Sequence, residues 1–141
     1  MSTVTPTTVA SVEEAYSFGD SITFVREPSL TRRLTETNVV GHIDKQEAYK
    51  QAVYKILSTE RYEYIIYSWN YGVELKDLIG THIAYAVPEI EARIIEAVMQ
   101  DDRTISVGDF KFDTSKRGVV AVTFTCTSIF GEIEMELNVV I

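Results

Sequence analysis

The sequence holds one cysteine, Cys126, two histidines, His42 and His82, and three prolines. A lone thiol excludes an internal disulfide framework. The histidines lie far apart and match no metal-ligand spacing, so no metal centre is expected. Both read as turn or surface residues. Cys126 falls on the inward phase of a strand pattern, where a buried, inert thiol is expected. GxxxxGK[ST], GxGxxG and GxSxG are all missing, which removes the common phosphate-binding, dinucleotide and acyl-transfer signatures. No cofactor is expected.

Positive charge is scarce as well. Thirteen basic residues against 21 acidic ones leave a formal charge of −8. Such a chain repels phosphate backbones, so nucleic acid is not an expected partner. The only basic cluster is Arg26, Arg32 and Arg33, which reads as a solvated edge, with a docking point for an acidic partner as the alternative. MSTVTPTTVASVEEAYSFGD, at the start, lacks the basic opening and apolar run of a signal peptide. No apolar run approaches the roughly 18 residues that span a bilayer. No membrane association is expected, and the chain is expected to be made and kept in the cytosol, or to leave by a route other than secretion.

What remains is an ordinary globular composition, 45% apolar and 24% charged over 141 residues, the length of one domain. Residues 1–28 show little periodicity and read as an extended N-terminal arm, with a frayed terminus as the alternative. Residues 29–141 read as a single domain. A hairpin with strands near 30–35 and 38–42 comes first.

A helix over 44–58 follows. Asp44 and Glu47 form a capping box, and Ala48, Tyr49, Ala52, Val53, Ile56 and Leu57 make one stripe. TERYEYIIYSWNYG, residues 59–72, then carries four tyrosines and a tryptophan. Its YEYIIY portion, 62–67, reads as a core strand, with Trp69, Asn70 and Tyr71 at its end as contact surface. ELKDLIG predicts a short helix ending at Gly80, with Leu75, Leu78 and Ile79 inward. Pro88 fits the first turn of a further helix whose stripe is Val87, Ile90, Ile94, Ala97 and Val98.

The last third changes to period two. In TISVGDFKF the apolar phase switches between Val107 and Phe110, which predicts a bulge at Gly108–Asp109. Val120, Val122, Phe124 and Cys126 alternate with Ala121, Thr123, Thr125 and Thr127. Ile133, Met135, Leu137, Val139 and Ile141 alternate with Glu132, Glu134, Glu136 and Asn138. The pattern predicts an antiparallel meander covered on one face, hence an α+β fold: a small, mainly antiparallel sheet with helices packed on one face.

One catalytic reading survives these exclusions. Glycan hydrolases use paired carboxylates, and Glu60, Glu63 and Glu74 all lie in or beside the aromatic stretch. Glu63 or Glu74 as the acid of a small peptidoglycan hydrolase is therefore the alternative function.

The run AVYKILSTERYEYIIYSWNYGVELKDLIG, followed by VPEIEARIIEAVMQDDR, resembles a family of contractile-tail proteins from prophages of Gram-positive bacteria. That family belongs to the phage baseplate wedge proteins that initiate the sheath, some of which carry an old "lysozyme" label. The resemblance covers roughly residues 30–141. It implies a structural protein with no enzymatic activity, similar in fold to the sheath-assembly domain of the sheath protein. It also implies six copies in a ring, joining baseplate wedge proteins to the first sheath ring, near the tail tube. Strands donated between neighbours would tie the subunits together.

The particle could be a phage, a defective prophage or a bacteriocin-like tail, its baseplate assembled in the bacterial cytoplasm. The Glu-Pro-Arg type of signature of the broader group is replaced here by Thr59-Glu60-Arg61-Tyr62-Glu63-Tyr64, without proline. Glu60, Arg61 and Glu63 are the expected wedge contacts. Leu137, Asn138 and Val139 on the last strand are the expected docking edge.

Overall fold

The computed structural model describes residues 16–18, 22–24 and 26–141. Within the expected arm it places a small antiparallel pair, β1 (Tyr16–Phe18) and β2 (Ile22–Phe24). The rest of the expectation for 1–25 lies outside the described residues.

The predicted hairpin is present as β3 (Thr31–Leu34) and β4 (Val39–Ile43). Its turn closes where Thr35 N–H donates to the Asn38 carbonyl at 2.9 Å. Both strands are largely exposed, and two strands alone are marginal in water. What holds them is the side-chain amide of Gln51 on the following helix. Its Nε2 donates to the Arg32 carbonyl and its Oε1 accepts from Leu34 N–H, each at 2.8 Å. The basic cluster is divided among separate acids: Arg33 meets Glu47 at 3.2 Å and Arg26 meets Asp102 at 3.5 Å.

Helix α1 (Lys45–Ser58) starts where expected, with Asp44 Oδ1 accepting from Lys45 N–H at 2.7 Å. The reciprocal half of the capping box is replaced, because the Glu47 carboxylate turns to Arg33. Ala48, Tyr49, Val53, Ile56 and Leu57 are buried along the predicted stripe. Tyr49 is fully buried, its hydroxyl 2.8 Å from Thr104 Oγ1 and the Arg103 guanidinium over its ring. Burial pushes that hydroxyl's pKa up to about 12.

The expected core strand at 62–67 does not form. Residues 61–72 are turns and bends, and Ile65 and Ile66 are 103% and 84% exposed. Strand propensity records how side chains fit a pleated surface, and among the described residues no strand pairs with this segment. The expected helix at 74–80 shrinks to a single 3-10 turn, Lys76–Leu78. Leu78 is buried and Leu75 partly so, but Ile79 faces solvent.

Helix α2 (Ile83–Val98) begins earlier than expected, with His82 as its cap and Nδ1 accepting from Ala84 N–H at 3.2 Å. Pro88 therefore sits in the second turn, where it removes one backbone donor. The stripe of Ile90, Ile94, Ala97 and Val98 is buried as predicted.

The final third is the antiparallel meander β5 (Thr104–Asp113), β6 (Val119–Ser128) and β7 (Gly131–Val140), in that spatial order. The predicted bulge is real: the register shifts between Gly108 and Lys111, and Asp109 has φ 55°. Val120, Val122, Phe124 and Cys126 are fully buried beneath the helices. α1 packs on α2 and over β7, while α2 packs over β5. Phe110 stacks on Phe124 at 5.3 Å to extend this layer toward the bulge. The fold class is thus the expected α+β arrangement.

Candidate functional site

The aromatic stretch is an Ω-shaped loop with a fastened neck. Val73 N–H donates to the Thr59 carbonyl at 3.0 Å, and Arg61 N–H to the Val73 carbonyl at 3.2 Å. Arg61 Nε and Nη2 both reach the Gly72 carbonyl, at 3.3 and 3.2 Å, and Nη1 reaches Glu96 on α2 at 3.0 Å. Burial works against the guanidinium charge, but the Glu96 carboxylate outweighs it and raises the Arg61 pKa. Gly72 has φ +97°, and a Cβ there would lie 2.6 Å from the Thr59 carbonyl oxygen. Only glycine lets the two sides of the neck approach this closely.

Glu60 is also spent within the chain. Its carboxylate accepts from Leu75 N–H and Lys76 N–H, each at 3.2 Å, and so caps the 3-10 turn. Glu63 meets Lys76 Nζ at 2.5 Å, which raises the lysine's pKa. Arg93 on α2 holds the far side, donating to the Glu74 carbonyl at 2.7 Å and pairing with Asp77 and Glu89. Of the expected wedge contacts Glu60, Arg61 and Glu63, the first two have partners within the chain, and the Arg61 side chain is 8% exposed.

What projects from this frame is aromatic and aliphatic. Tyr62 meets Trp69 edge-on at 6.3 Å, Tyr64 meets Tyr67 at 6.1 Å, and Tyr67 stacks on Tyr71 at 4.4 Å. Tyr71 is half-buried and ties this ladder to the core, while Asn70 and Trp69 are exposed. Tyr62, Tyr64, Ile65, Tyr67, Ser68 and Trp69 line a shallow cleft of about 430 Å³. Exposed apolar groups clustered like this mark interaction sites far more often than scattered ones do. Ile65 and Ile66 were missed by sequence reasoning.

The second surface is β7. Ile141 N–H donates to the Gly118 carbonyl at 3.0 Å, continuing the β6–β7 register. Bonded positions alternate in an antiparallel pair, so Leu137 and Val139 turn their backbone groups toward β6. Glu132, Glu134, Glu136, Asn138 and Val140 turn theirs away from it. Among the described residues no strand pairs on that side. The side chain of Val139 is buried, Leu137 is half-buried and Asn138 is exposed.

Among the described residues no group of His, Cys, Asp and Glu could hold a metal ion, and no helix is long and apolar enough to cross a membrane. Cys126 is buried, and that burial raises its thiol pKa to about 11.

Comparison with known proteins now gives this geometry a context. The model of the contractile injection system sheath initiator family matches residues 30–131. The chain is 43% identical over 108 residues to the phage-like element PBSX protein XkdS of Bacillus subtilis (strain 168), covering 74% of this chain and 72% of that protein. The hydrolase alternative on Glu63 and Glu74 falls with these matches, since the family's role is structural. The chain belongs to the sheath-initiator family of contractile injection systems, a structural component that links baseplate and sheath in a contractile tail.

Proposed function

We propose that six copies of this protein form a ring at the baseplate of a phage or phage-like tail. In this reading the loop 60–73 docks on the baseplate wedge proteins, close to the tail tube. The open edge of β7 receives a strand of the first sheath ring. Assembly takes place in the bacterial cytoplasm. The observation that carries the reading is the pairing of a rigid neck with an apolar tip. A loop held by Arg61, Gly72 and Glu60 loses little further entropy on docking, so its exposed rings can contribute most of their contact area. Trp69, Asn70 and Tyr71 supply large rigid area with polar tips. Glu60 and Arg61 serve the contact by positioning the loop, and Glu63 with Lys76 forms its charged rim. The PBSX name of the related protein, a phage-like element, supports a tail-like particle as the setting.

The test is a paired substitution, Ile65→Ser with Trp69→Ala, in the producing cell. Both side chains are solvent-exposed, so thermal unfolding of the purified chain should be unchanged within a few degrees. Assembled tails counted by electron microscopy should fall sharply. Normal tail numbers with this variant incorporated would refute the loop as the wedge contact.

A further inference from the structure

The open edge of β7 is not open along its whole length. Gln46, in the first turn of α1, donates from Nε2 to the Glu132 carbonyl at 2.9 Å. That carbonyl is one of the groups turned away from β6, so the amide occupies the first rung of the edge. The same nitrogen lies 3.5 Å from where a Cβ on Gly131 would stand. The backbone groups of Glu134, Glu136, Asn138 and Val140 remain.

Where Met135 faces the helices, β7 borders a groove that it shares with the β3–β4 hairpin and α1. Leu34, Ile43, Tyr54 and Met135 give it apolar walls, Lys50 and Gln51 of α1 line it too, and the Arg33–Glu47 pair stands at its rim. A strand added to β7 would turn alternate side chains to the face that carries Met135, and so toward this groove. Its remaining side chains would stand on the outer face beside Glu134 and Glu136, both exposed and acidic. Opposite charges on neighbouring strands attract and like charges repel.

Resting on the reading of β7 as the sheath-docking edge, we propose that its occupant is an extended segment of the partner alternating apolar and basic residues. We further propose that Gln46 is a positioning residue, setting the register by closing the first rung, so that pairing starts at Glu134. A one-rung slip would keep the faces but misplace the whole partner chain, which side-chain alternation alone cannot prevent. A stop at one end can.

The probe is a pair of end-capped synthetic peptides the length of Glu134–Val140, one alternating Val and Lys, the other Val and Glu. Each is titrated to millimolar concentration into the ¹⁵N-labelled full chain. The Val/Lys peptide should slow amide exchange at Glu134, Glu136, Asn138 and Val140, and the Val/Glu peptide should not. Glu134→Lys with Glu136→Lys should invert that preference. A spin label on the peptide's end should broaden one set of amides in the wild type. In Gln46→Ala a second set, reaching Gly131 and Glu132, should broaden as well.

Equal binding of the two peptides, protection elsewhere, or no protection by either would overturn the proposed chemistry. An unchanged single register in Gln46→Ala would overturn the role of Gln46. The docking reading fails separately. Normal sheath growth on Asn138→Pro baseplates would remove β7 as the sheath site while leaving peptide preference intact.

Discussion

The Arg61 guanidinium places two donors on one acceptor, the carbonyl of Gly72, eleven residues away. This contact, together with Nη1 on Glu96, converts a run of aromatic residues into a projecting loop anchored to α2. A charged donor on a poorly solvated carbonyl is among the stronger hydrogen bonds, about 1.5–3 kcal/mol. Arg61→Ala should therefore destabilise the whole domain by about 2–3 kcal/mol. Arg61→Lys should recover only part of this, since an ammonium cannot reproduce the planar fork. Denaturant unfolding of the two variants checks the prediction. An unchanged midpoint for Arg61→Ala would show that the neck closes without it.

Two glycines with similar backbone angles should behave differently when changed to alanine. Gly72 (φ +97°) would drive its Cβ to 2.6 Å from the Thr59 carbonyl oxygen, a backbone atom that cannot swing aside. Gly41 (φ +70°) has nothing within 4 Å of the added carbon. Gly41→Ala should cost about 1–2 kcal/mol, the left-handed penalty alone. Gly72→Ala should cost clearly more and reduce the protease resistance of the 60–73 loop. Equal thermal shifts for the two would contradict the close approach at the neck.

Acid sensitivity should centre on Asp101. Its burial opposes ionisation, but Arg103 donates to it from the backbone, Nε and Nη2, and the net effect lowers its pKa. A carboxylate with a lowered folded-state pKa favours the native state above its unfolded value, near 3.9. That contribution is lost as pH falls from there through the folded value. Melting temperature should fall below about pH 4 in the wild type. In Asp101→Asn the starting stability should be lower and this acid limb shallower. A limb of unchanged slope would place the acid-labile groups elsewhere.

Proline along β7 should read out the direction of each amide. Leu137 N–H points to β6, so Leu137→Pro removes a ladder bond and should unfold the domain. Asn138 N–H points to the open side, so Asn138→Pro should leave the isolated chain folded with a small loss of stability. On completed baseplates the same variant should stop sheath growth, if the edge docks a strand as proposed. Circular dichroism of the two variants decides the amide directions, and sheath length by electron microscopy decides the docking.

Much of this fold was legible because its signals are local. The stripe on α1 and the alternation along β6 and β7 each repeat with the period of the backbone that carries them, and each element buries the side chains its pattern marks. The bulge at Asp109 was legible for the same reason, as a break in phase. The start of α2 was not, because His82 caps it and Pro88 suggested a later first turn. Of the candidate site, the exposure of Trp69 and Asn70 was legible, but the loop conformation of residues 61–72 was not.

The sequence by itself therefore determined the hairpin, α1 and the β5–β7 meander and which faces the last two bury, since 3.6-fold and two-fold periodicities need no knowledge of distant residues. It also pointed to the family, through the run from the middle of α1 to the end of α2. Tertiary structure alone decided that YEYIIY is a loop. That outcome depends on Thr59 meeting Val73 and on Arg61 reaching Gly72 and Glu96. It alone decided that Glu60 and Arg61 turn inward and that Gln46 closes one rung of the β7 edge. Those facts rest on contacts between residues far apart in the chain, and composition and periodicity carry no record of them.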